Sequence, residues 1–536
     1  MCRPILRGDI YVCKRYETKT RKRLSMSTHS RRTFLTTAAL AAAAFSLRAQ
    51  GHSTAQATLI LSAAEPGAQM PQNFAGLSYE IQQLTDPKFF SPANTGLIRA
   101  FKDLSAHGVL RLGGNTSEFG YWKPTPTSPE PAHPTIREVA GEPVAHYYAV
   151  TAEAVDNLAA FLKATGWSCL YGIGMGTNTP ARAAEEAVYV ARALGSSLQY
   201  FQIGNEVDFF SWHLRDPKTW SPESYLAEWL TIAHAVQARV PAARFGIPDV
   251  ATKIEWLPAI AKAWPSVQNP PPVTLSHHHY FDGPATNPEV NIPNLLKPAT
   301  MEKVQHTADI ATAAARSMGV RLRMTEGNTC YRGGKPGVSD VFAAALWSAN
   351  YSLLLAANGY SGVNFHGGTG KAVANSVGGF LPGDVMLKEQ GATEAEIATH
   401  PHPFYTPIGT FGGEYILQPV AYGLKFACLF AGATLLKVDL TTALQASSVN
   451  ATAFAARLPD GKLSLIVLNK DAEKDLALTV DFGAHASSTA HLETLTSEAL
   501  NSRKAHLLAS AYTVPVRAGK ATLTVPHASA LRLTLG

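Results

Sequence analysis

Gln199-Tyr200-Phe201-Gln202-Ile203-Gly204 is a short apolar run that ends in glycine and is followed by a longer amphipathic segment. Short apolar runs bounded in this way are typical of strands buried in a parallel sheet. Seven more runs of the same kind lie between about residues 74 and 370, each separated from the next by a segment with helical periodicity. They are Phe74–Ile81, Val109–Gly114, Ser168–Gly174, Arg244–Ala251, Val273–His277, Arg321–Thr325 and Gly359–Phe365.

The segments between these runs are predicted to be helices. Eight strands that alternate with helices over about 300 residues favour an α/β fold of the (β/α)8 TIM-barrel type over a doubly wound open sheet. No glycine-rich phosphate-binding fingerprint follows the first strand, which also argues against a nucleotide-binding fold. The predicted helices are Leu97–Ala106, Val150–Thr165, Ala181–Leu194, Glu223–Ala238, Ile254–Ala263, Met301–Met318 and Val341–Ala357.

Beyond about residue 435 the pattern changes to short β-like runs with little helix. The first two, Val449–Leu458 and Lys462–Asn469, flank the turn Pro459-Asp460-Gly461, and the series predicts a C-terminal antiparallel β-sandwich domain. An earlier run, Ala57–Ser62, is expected to pair with this sandwich. We therefore expect a leader over residues 1–50, an N-terminal strand joining the sandwich over 51–70, a catalytic barrel over 71–430 and the β-sandwich over 431–536.

The net charge of the chain has two separate sources. The 536 residues contain 46 Lys and Arg against 40 Asp and Glu, a net charge of +6. Residues 1–50 hold eleven basic and two acidic residues, so that segment carries +9 and the remainder carries −3. Because a polyanion needs a basic patch on the folded body, this distribution argues against nucleic acid as a partner.

The leader resembles a twin-arginine export signal. Ser30-Arg31-Arg32-Thr33-Phe34-Leu35 precedes a mildly apolar run that ends near Leu47, and Met26 lies at a suitable distance upstream to be the true start. At about 14 residues, the run is shorter than the roughly 20 that a membrane-spanning helix needs. We expect an exported protein, periplasmic or extracellular, without a stable membrane span.

The cysteines predict neither a disulfide framework nor a zinc site. Cys2 and Cys13 lie in the leader, which leaves Cys169, Cys330 and Cys428, an odd number without Cys-x-x-Cys spacing. Each of these three is expected to be a small buried side chain. No cofactor is predicted.

Two glutamates end strands of the predicted barrel. Phe201-Gln202-Ile203-Gly204-Asn205-Glu206 closes the fourth strand, and Arg323-Met324-Thr325-Glu326-Gly327-Asn328 closes the seventh. Active sites of such barrels lie at the carboxyl ends of the strands. Two carboxylates at that face suit glycoside hydrolysis, in which one protonates the leaving oxygen and the other attacks the anomeric carbon or activates water.

Three adjacent histidines end the sixth predicted strand, in His277-His278-His279-Tyr280. Successive strand residues point to opposite faces, so His277 and His279 are expected to share a face that His278 does not. Hydrogen bonds that line the cleft are expected from these side chains rather than a metal site. Tyr280 is well placed to orient the nucleophile.

With these motifs, the sequence resembles retaining barrel glycosidases that carry their acid/base and nucleophile on strands four and seven. The resemblance implies that Glu206 is the general acid/base, that Glu326 is the nucleophile, and that Asn205 binds the sugar 2-hydroxyl. More narrowly, the chain resembles glycoside hydrolase family 79, which contains β-glucuronidases and heparanase-like enzymes, over nearly all of residues 56–536. The segment Glu326-Gly327-Asn328-Thr329-Cys330-Tyr331-Arg332-Gly333 is the sharpest support.

The family resemblance also implies how a uronate is held. Tyr331 by its hydroxyl and Gly333 by its backbone N–H would bind the carboxylate of glucuronic acid, and Tyr405 is the candidate for a second tyrosine. Two other residues are expected near the sugar. Glu80, at the end of the first strand, is expected to accept hydrogen bonds from sugar hydroxyls, and Asn115 either supports Glu206 or caps its own loop.

Two basic residues and a glycine pair also lie near the predicted site. Arg332 and Lys335 either add positive potential or form a solvated loop face. The glycine pair in Arg111-Leu112-Gly113-Gly114-Asn115-Thr116 is expected to let the backbone approach the sugar.

Two long segments, Lys123–His146 and Gly367–Pro419, follow the second and eighth strands and are expected to rise over the site as lids. The expected activity is that of an exo-β-glucuronidase on carbohydrate with terminal glucuronic acid. The alternatives are a heparanase-like endo-enzyme, a retaining glycosidase for a neutral sugar such as xylose or arabinose, and a non-catalytic carbohydrate-binding protein. The few basic residues in the first long segment and the slightly negative body favour the exo-enzyme.

Overall fold

A computed structural model describes residues 54–62, 64–140, 146–266, 269–484 and 487–536. The predicted leader, with the predicted export motif, lies outside these ranges. Among the described residues, no helix is both long and apolar enough to cross a bilayer.

Eight parallel strands close into a barrel, as the sequence predicts. Each pairs with its neighbours in chain order, and the eighth pairs with the first. Most of their residues are buried, because the barrel interior covers one face and the helices cover the other. The strands are Ala75–Glu80, Val109–Gly113, Ser168–Ile173, Leu198–Ile203, Phe245–Val250, Pro272–Tyr280, Arg321–Asn328 and Val363–Gly367.

Helices pack around this barrel, and the residue before several of them caps the first turn with its side chain. Thr151, Thr179 and Ser221 each cap a helix by accepting a backbone N–H, and the last two precede a proline in the first turn. The main helices are Thr95–Leu104, Ala152–Thr165, Pro180–Leu194, Pro222–Arg239, Trp256–Ala263, Pro298–Met318, Phe342–Ala357 and Pro419–Ala427. The shorter ones include Phe210–His213, Ile292–Leu296 and Thr441–Ala446.

The segment after the eighth strand contains more regular structure than the loop expected there. It holds three short helices, Gly370–Ser376, Pro382–Glu389 and Glu394–Ile397, and the hairpin of Ile408–Phe411 with Glu414–Leu417. Thr369 and Thr393 cap two of these helices. A second small sheet pairs Gly120–Lys123 with Tyr148–Thr151 after the second barrel strand.

The C-terminal strands form a β-sandwich whose mutual pairings are antiparallel. The long strand His506–Arg517 pairs with Thr489–Thr496 and, at its end, with Lys520–Val525, and so joins the two layers. Leu465, Val467 and Leu478 contribute to the core between them. The remaining strands are Thr434–Lys437, Ala451–Arg457, Leu463–Asn469, Asp475–Asp481 and Ser529–Leu535.

The N-terminal strands of the described chain also belong to this sheet. Thr54–Ile60 pairs in parallel with Asp475–Asp481, and Glu65–Gln69 pairs antiparallel with Thr434–Lys437. The domain boundaries at residues 70 and 430 stay predictions. Cys169, Cys330 and Cys428 are free thiols, the first two buried and the third half-buried.

Candidate active site

A cavity of about 580 Å³ opens at the carboxyl ends of the barrel strands. Its wall includes both predicted catalytic glutamates and residues from strands one, six, seven and eight. This is the face at which barrel enzymes place their catalytic groups. The predicted site residues that line it are Glu80, Asn115, Glu206, Tyr280, Glu326, Tyr331 and Tyr405.

Glu206 and Glu326 face each other in this cavity. One carboxylate oxygen of each lies within 4.8 Å of the other and of a ring nitrogen of His278. Glu206 follows the fourth strand in a left-handed backbone conformation (φ 48°), and Glu326 lies within the seventh strand. The positive φ turns Glu206 out of the line of its strand and toward the cavity. The two side chains are largely buried, 14% and 7% exposed.

Glu326 is surrounded by hydrogen-bond donors. Arg111 Nη1 lies 2.5 Å and the Tyr280 hydroxyl 2.8 Å from its carboxylate oxygens, and His366 Nδ1 lies 3.6 Å away. Burial alone raises the pKa of Glu326, but His366, His278 and Arg111, together with the Tyr280 hydroxyl, outweigh it and lower the pKa to about 2. Glu326 is therefore ionised near neutral pH, as a nucleophile must be.

The pKa of Glu206 is shifted in the opposite direction, above its usual value. Burial raises its pKa, the hydrogen bond and charge of His278 oppose this, and the negative charge of Glu326 adds to the rise. His278 Nδ1 lies 3.1 Å from Oε1 of Glu206. Two nearby carboxylates with pKa values pushed apart are suited to act as acid and nucleophile at the same pH.

All three histidines of the run line the cavity, and the ring of His278, in the middle, is the one that contacts the acidic groups of the site. Register shifts next to His277 interrupt the pairing of the sixth strand with both neighbours. His277 instead contacts the Tyr360 hydroxyl, and His279 stacks on Tyr351. All three thus line the cleft as expected, but only the His278 ring contacts Glu206, Asp249 and Arg111.

Arg111 and Asp249 connect the site to the barrel interior. Arg111 Nη2 donates to Asp249 at 2.8 Å and to the Asn205 amide oxygen at 2.5 Å, and both charged groups are almost fully buried. Burial alone raises the pKa of Asp249, but Arg111 and His278 reverse this and lower it well below its usual range. A buried ion pair of this kind holds its two side chains in place, because losing either partner would leave an unpaired charge in the interior.

Arg111, Asp249 and His366 are not among the site residues predicted from the sequence. Each interrupts or ends an apolar strand: Arg111 in Leu110-Arg111-Leu112, Asp249 in Pro248-Asp249-Val250, and His366 after Phe365. A charged residue is seldom buried unless it is paired. A charged residue in an apolar strand could therefore have indicated that these three residues are buried. It could not have indicated which groups they pair with.

The glycine pair after the second strand has a different role from the one expected. A methyl group at Gly113 would overlap the guanidinium of Arg111, and one at Gly114 would overlap the carboxylate of Glu80. The pair therefore makes room for two protein side chains rather than for the sugar. Glu80 Oε2 accepts hydrogen bonds from the backbone and hydroxyl of Thr116, and Oε1 lies 3.4 Å from His366.

Asn205 is buried behind Glu206. Its Nδ2 donates to the Asn115 side chain at 2.7 Å, and its backbone N–H donates to Glu118 at 2.8 Å. Glu118 also accepts the backbone N–H groups of Met175 and Gly176, at the end of the third strand. One buried carboxylate thus ties the ends of strands three and four together, directly before the acid/base candidate. Asn115 supports this arrangement through Asn205.

Three tyrosines cluster beside Glu326. The Tyr280 ring lies 6.1 Å from that of Tyr405 and 6.5 Å from that of Tyr331. Tyr405 is 2% exposed and Tyr331 is 38% exposed. The position of Tyr405 depends on Gly333, whose carbonyl accepts the N–H of Phe404 at 2.7 Å.

Gly333 itself lies behind the cavity wall formed by the described residues, against Leu381. Arg332 lines the cavity, and Lys335 Nζ donates to the Asn287 carbonyl.

Glu206, His278 and Glu326 are close enough together to hold a metal ion. However, burial only partly offsets the effects of Glu326 and Asp249 on His278, whose pKa is raised to about 10. A protonated imidazole has no lone pair to give a metal, and Arg111 already pairs with Glu326. The cluster suits proton transfer better than metal binding.

No family model matches the chain. Two curated relatives are β-glucuronidases. The one from Aspergillus niger is 25% identical over 311 residues, which are 53% of this chain and 55% of the relative. The one from Neurospora crassa is 25% identical over 285 residues, 48% of this chain and 50% of the relative. The chain thus spans about half the length of these curated relatives.

Solved structures share the fold at lower identity. A 4-O-α-L-rhamnosyl-β-D-glucuronidase from Fusarium oxysporum 12S is 19% identical with a TM-score of 0.67, covering 89% of this chain and 100% of that one. A GH51 arabinofuranosidase from Xanthomonas axonopodis pv. citri is 16% identical with a TM-score of 0.63, covering 90% and 100%. Such similarity shows the fold alone. Together with the curated relatives, it supports a glycoside hydrolase with a barrel and a β-sandwich.

Proposed function

We propose that the protein is a retaining exo-β-glucuronidase, which removes terminal β-linked glucuronic acid from glycans or glycosides by double displacement. The observation that carries the proposal is the facing pair of Glu206 and Glu326, with carboxylate oxygens within 4.8 Å and pKa values displaced in opposite directions. Retaining glycosidases hold their carboxyl groups about 5–5.5 Å apart, whereas inverting ones leave room for a water between them. The proximity of these oxygens supports retention.

The first step forms a covalent intermediate. Glu326 attacks the anomeric carbon while Glu206 gives its proton to the glycosidic oxygen, so the leaving group departs as a neutral alcohol. As Glu206 loses this proton it gains a negative charge beside His278, whose cation stabilises it at 3.1 Å. Tyr280 and Arg111 hold Glu326 in position for attack.

The second step releases the sugar. Once Glu326 is esterified its charge is gone, which removes one cause of the raised pKa of Glu206. Glu206 then takes a proton from water, the water oxygen attacks the anomeric carbon, and Glu326 leaves as a carboxylate. Arg111 and the Tyr280 hydroxyl stabilise that departing carboxylate.

Recognition of a uronate is supported by the two curated β-glucuronidases and by the tyrosine cluster. Tyr331 and Tyr405 lie around Tyr280 at the nucleophile side of the cavity, and their hydroxyls are donors suited to a carboxylate. The role of Gly333 as a backbone donor stays a prediction. Segment 367–419 supplies Val377 and Tyr405 to the wall, which supports a pocket for a chain end over an open groove.

The substrate is tested by comparing kcat/KM for the same aryl group on β-glucuronic acid, β-glucose, β-xylose and α-arabinofuranose. We expect the glucuronide to be cleaved fastest, and faster cleavage of a neutral glycoside would overturn the uronate assignment. Retention is tested by NMR of the first sugar released, which should be the β-anomer. The α-anomer as first product would exclude the covalent route.

We also propose that the leader exports the enzyme. Fusion of residues 1–50 to a folded reporter should export it, and replacing Arg31 and Arg32 with lysine should block that export. Export that survives the replacement would contradict a twin-arginine signal.

A further inference from the structure

Two aromatic side chains follow the acid/base candidate directly. Phe209 ends a short 3-10 turn after Glu206, and Trp212 lies in the helix Phe210–His213. Their rings stack, with centroids 4.1 Å apart and planes at 15°, and both line the cavity. Trp212 is 40% exposed, which is unusual for so large an apolar side chain.

Phe209 and Trp212 follow Glu206 in the chain, and we expect the leaving group on the Glu206 side of the cavity. A general acid must reach the glycosidic oxygen, so the leaving group lies on the side of the site from which Glu206 approaches. The tyrosine cluster lies around Glu326 instead. The cavity of about 580 Å³ is within the range that holds drug-sized ligands, and therefore has room for a group beyond one sugar ring.

Hydrogen bonds hold the backbone that carries the pair. The backbone N–H of Phe209 donates to the Glu206 carbonyl at 2.8 Å, and the indole of Trp220 donates to the Val207 carbonyl at 2.7 Å. Arg137, from the long segment after the second strand, donates to the Trp212 carbonyl. A preorganised aromatic surface binds a flat partner with little loss of conformational freedom.

Basic side chains around the pair are bound to protein groups. Arg215 forms an ion pair with Glu228 at 2.8 Å, and Lys253 Nζ donates to the Asp208 carbonyl at 3.1 Å. Arg137 is bound to the Trp212 carbonyl. A sulfated leaving group would require cations directed at it. Arg332, which lines the cavity, adjoins Tyr331 and acts on its pKa, so it lies on the tyrosine side, and the basic side chains near the pair favour an uncharged leaving group.

We propose that Phe209 and Trp212 form the leaving-group subsite and that it takes a flat, uncharged group, either an aromatic aglycone or the face of a neutral pyranose ring. The proposal rests on the proposed function for the sugar it names. Aromatic contacts of this kind contribute modestly and act through shape, so the subsite sets which glucuronides are preferred and not whether the bond breaks.

The test compares wild-type enzyme with Trp212→Ala and Trp212→Phe. Tyr512→Ala is the matched control, because Tyr512 is an aromatic side chain 76% exposed on a sandwich strand. Each protein is assayed on methyl β-glucuronide, 4-methylumbelliferyl β-glucuronide and a disaccharide of glucuronic acid β-linked to xylose. The quantity compared is the kcat/KM of each larger substrate divided by that of the methyl glucuronide.

For Trp212→Ala, this ratio should fall about 3- to 10-fold, the size expected for one aromatic contact, and Trp212→Phe should recover part of it. A fall for the aryl substrate alone identifies an aromatic aglycone, and a fall for the disaccharide alone identifies a pyranose. No fall in either ratio, or an equal fall in Tyr512→Ala, overturns the proposal. If wild-type enzyme cleaves only neutral glycosides, the glucuronidase proposal fails, and the same ratios on those glycosides still test the subsite.

Discussion

The guanidinium of Arg111 lies 2.5 Å from the carboxylate of Glu326, although the two residues are 215 positions apart in the chain. Both are buried, and Arg111 also pairs with Asp249. The Glu326 carboxylate, which is proposed to attack the sugar, is thus paired with the Arg111 cation, and that cation is paired in turn with the Asp249 carboxylate. Because desolvated charges interact strongly, this arrangement keeps Glu326 ionised at any pH near neutral.

Replacing Glu326 with alanine should lower the hydrolysis of an aryl β-glucuronide by several orders of magnitude, because the glycosyl intermediate cannot form. Circular dichroism and the melting temperature should show an intact fold. Full turnover by Glu326→Ala would contradict the proposed mechanism.

Glu206→Ala should reduce the hydrolysis of an aryl glucuronide less than that of methyl glucuronide, because a good leaving group needs less proton donation.

Replacing His278 with glutamine should shift both limbs of the pH profile of kcat/KM to higher pH. The His278 cation favours the ionised forms of Glu206 and Glu326, so its loss raises both pKa values. The acid limb follows ionisation of Glu326 and the alkaline limb follows loss of the Glu206 proton. His277→Gln is the matched control, because the His277 ring contacts the Tyr360 hydroxyl and neither glutamate. If both limbs of the pH profile stay in place in His278→Gln, the His278 charge does not control the pKa values of the two glutamates.

Tyr331→Phe and Tyr405→Phe should reduce kcat/KM for a β-glucuronide more than for the corresponding β-glucoside. Each loses one hydroxyl donor, and a hydrogen bond to a charged group contributes about 1.5–3 kcal/mol, or roughly 10- to 150-fold. Equal losses on both substrates would indicate that the tyrosines only pack. The comparison needs kcat/KM for both substrates with each variant.

Glu118→Gln should lower kcat with little change in KM, because Glu118 positions the backbone before Glu206 without lining the cavity. The new amide would place an N–H group against backbone donors, and we expect the free energy of unfolding in urea to fall by about 2–4 kcal/mol. Glu186→Gln is the control, a buried carboxylate bound to Tyr171 away from the site. It should leave kcat unchanged, and an equal loss of kcat in both variants would point to general destabilisation.

Lys470 should make stability depend on pH. It is buried in the sandwich with Nζ 3.1 Å from the Thr452 hydroxyl, and burial lowers its pKa to about 7. Between pH 7 and the unfolded pKa of about 10.4, the unfolded chain binds a proton that the folded protein does not. Stability therefore rises with pH across that window.

Lys470→Met should remove this rise and raise the free energy of unfolding at pH 6 by a few kcal/mol. Urea unfolding at pH 6 and pH 9 measures the effect, and Lys462→Met, at an exposed lysine, should behave like wild type. A wild-type pH dependence in Lys470→Met would show that another group is responsible.

The sequence by itself determined the strands of the barrel and the location of the two carboxylates. Runs such as Ser168–Ile173 and Leu198–Ile203 are recognisable because burial on both faces requires continuous apolar residues. Parallel strands bring their carboxyl ends to one rim, so Glu206 and Glu326 could be assigned to one face without coordinates. The helices predicted to start at Ala181 and Glu223 begin one residue earlier, where Thr179 and Ser221 cap them.

Only the tertiary structure decided which side chains surround those carboxylates. Strand alternation places His278 on the same face as Tyr280, but only the folded barrel brings the His278 ring against Glu206 and Asp249. Arg111, Asp249 and Glu326 come from strands two, five and seven, and they meet only because the barrel closes. Contacts inside a barrel join residues far apart in the chain, whereas periodicity reports only local order, so no pattern along the sequence identifies these partners.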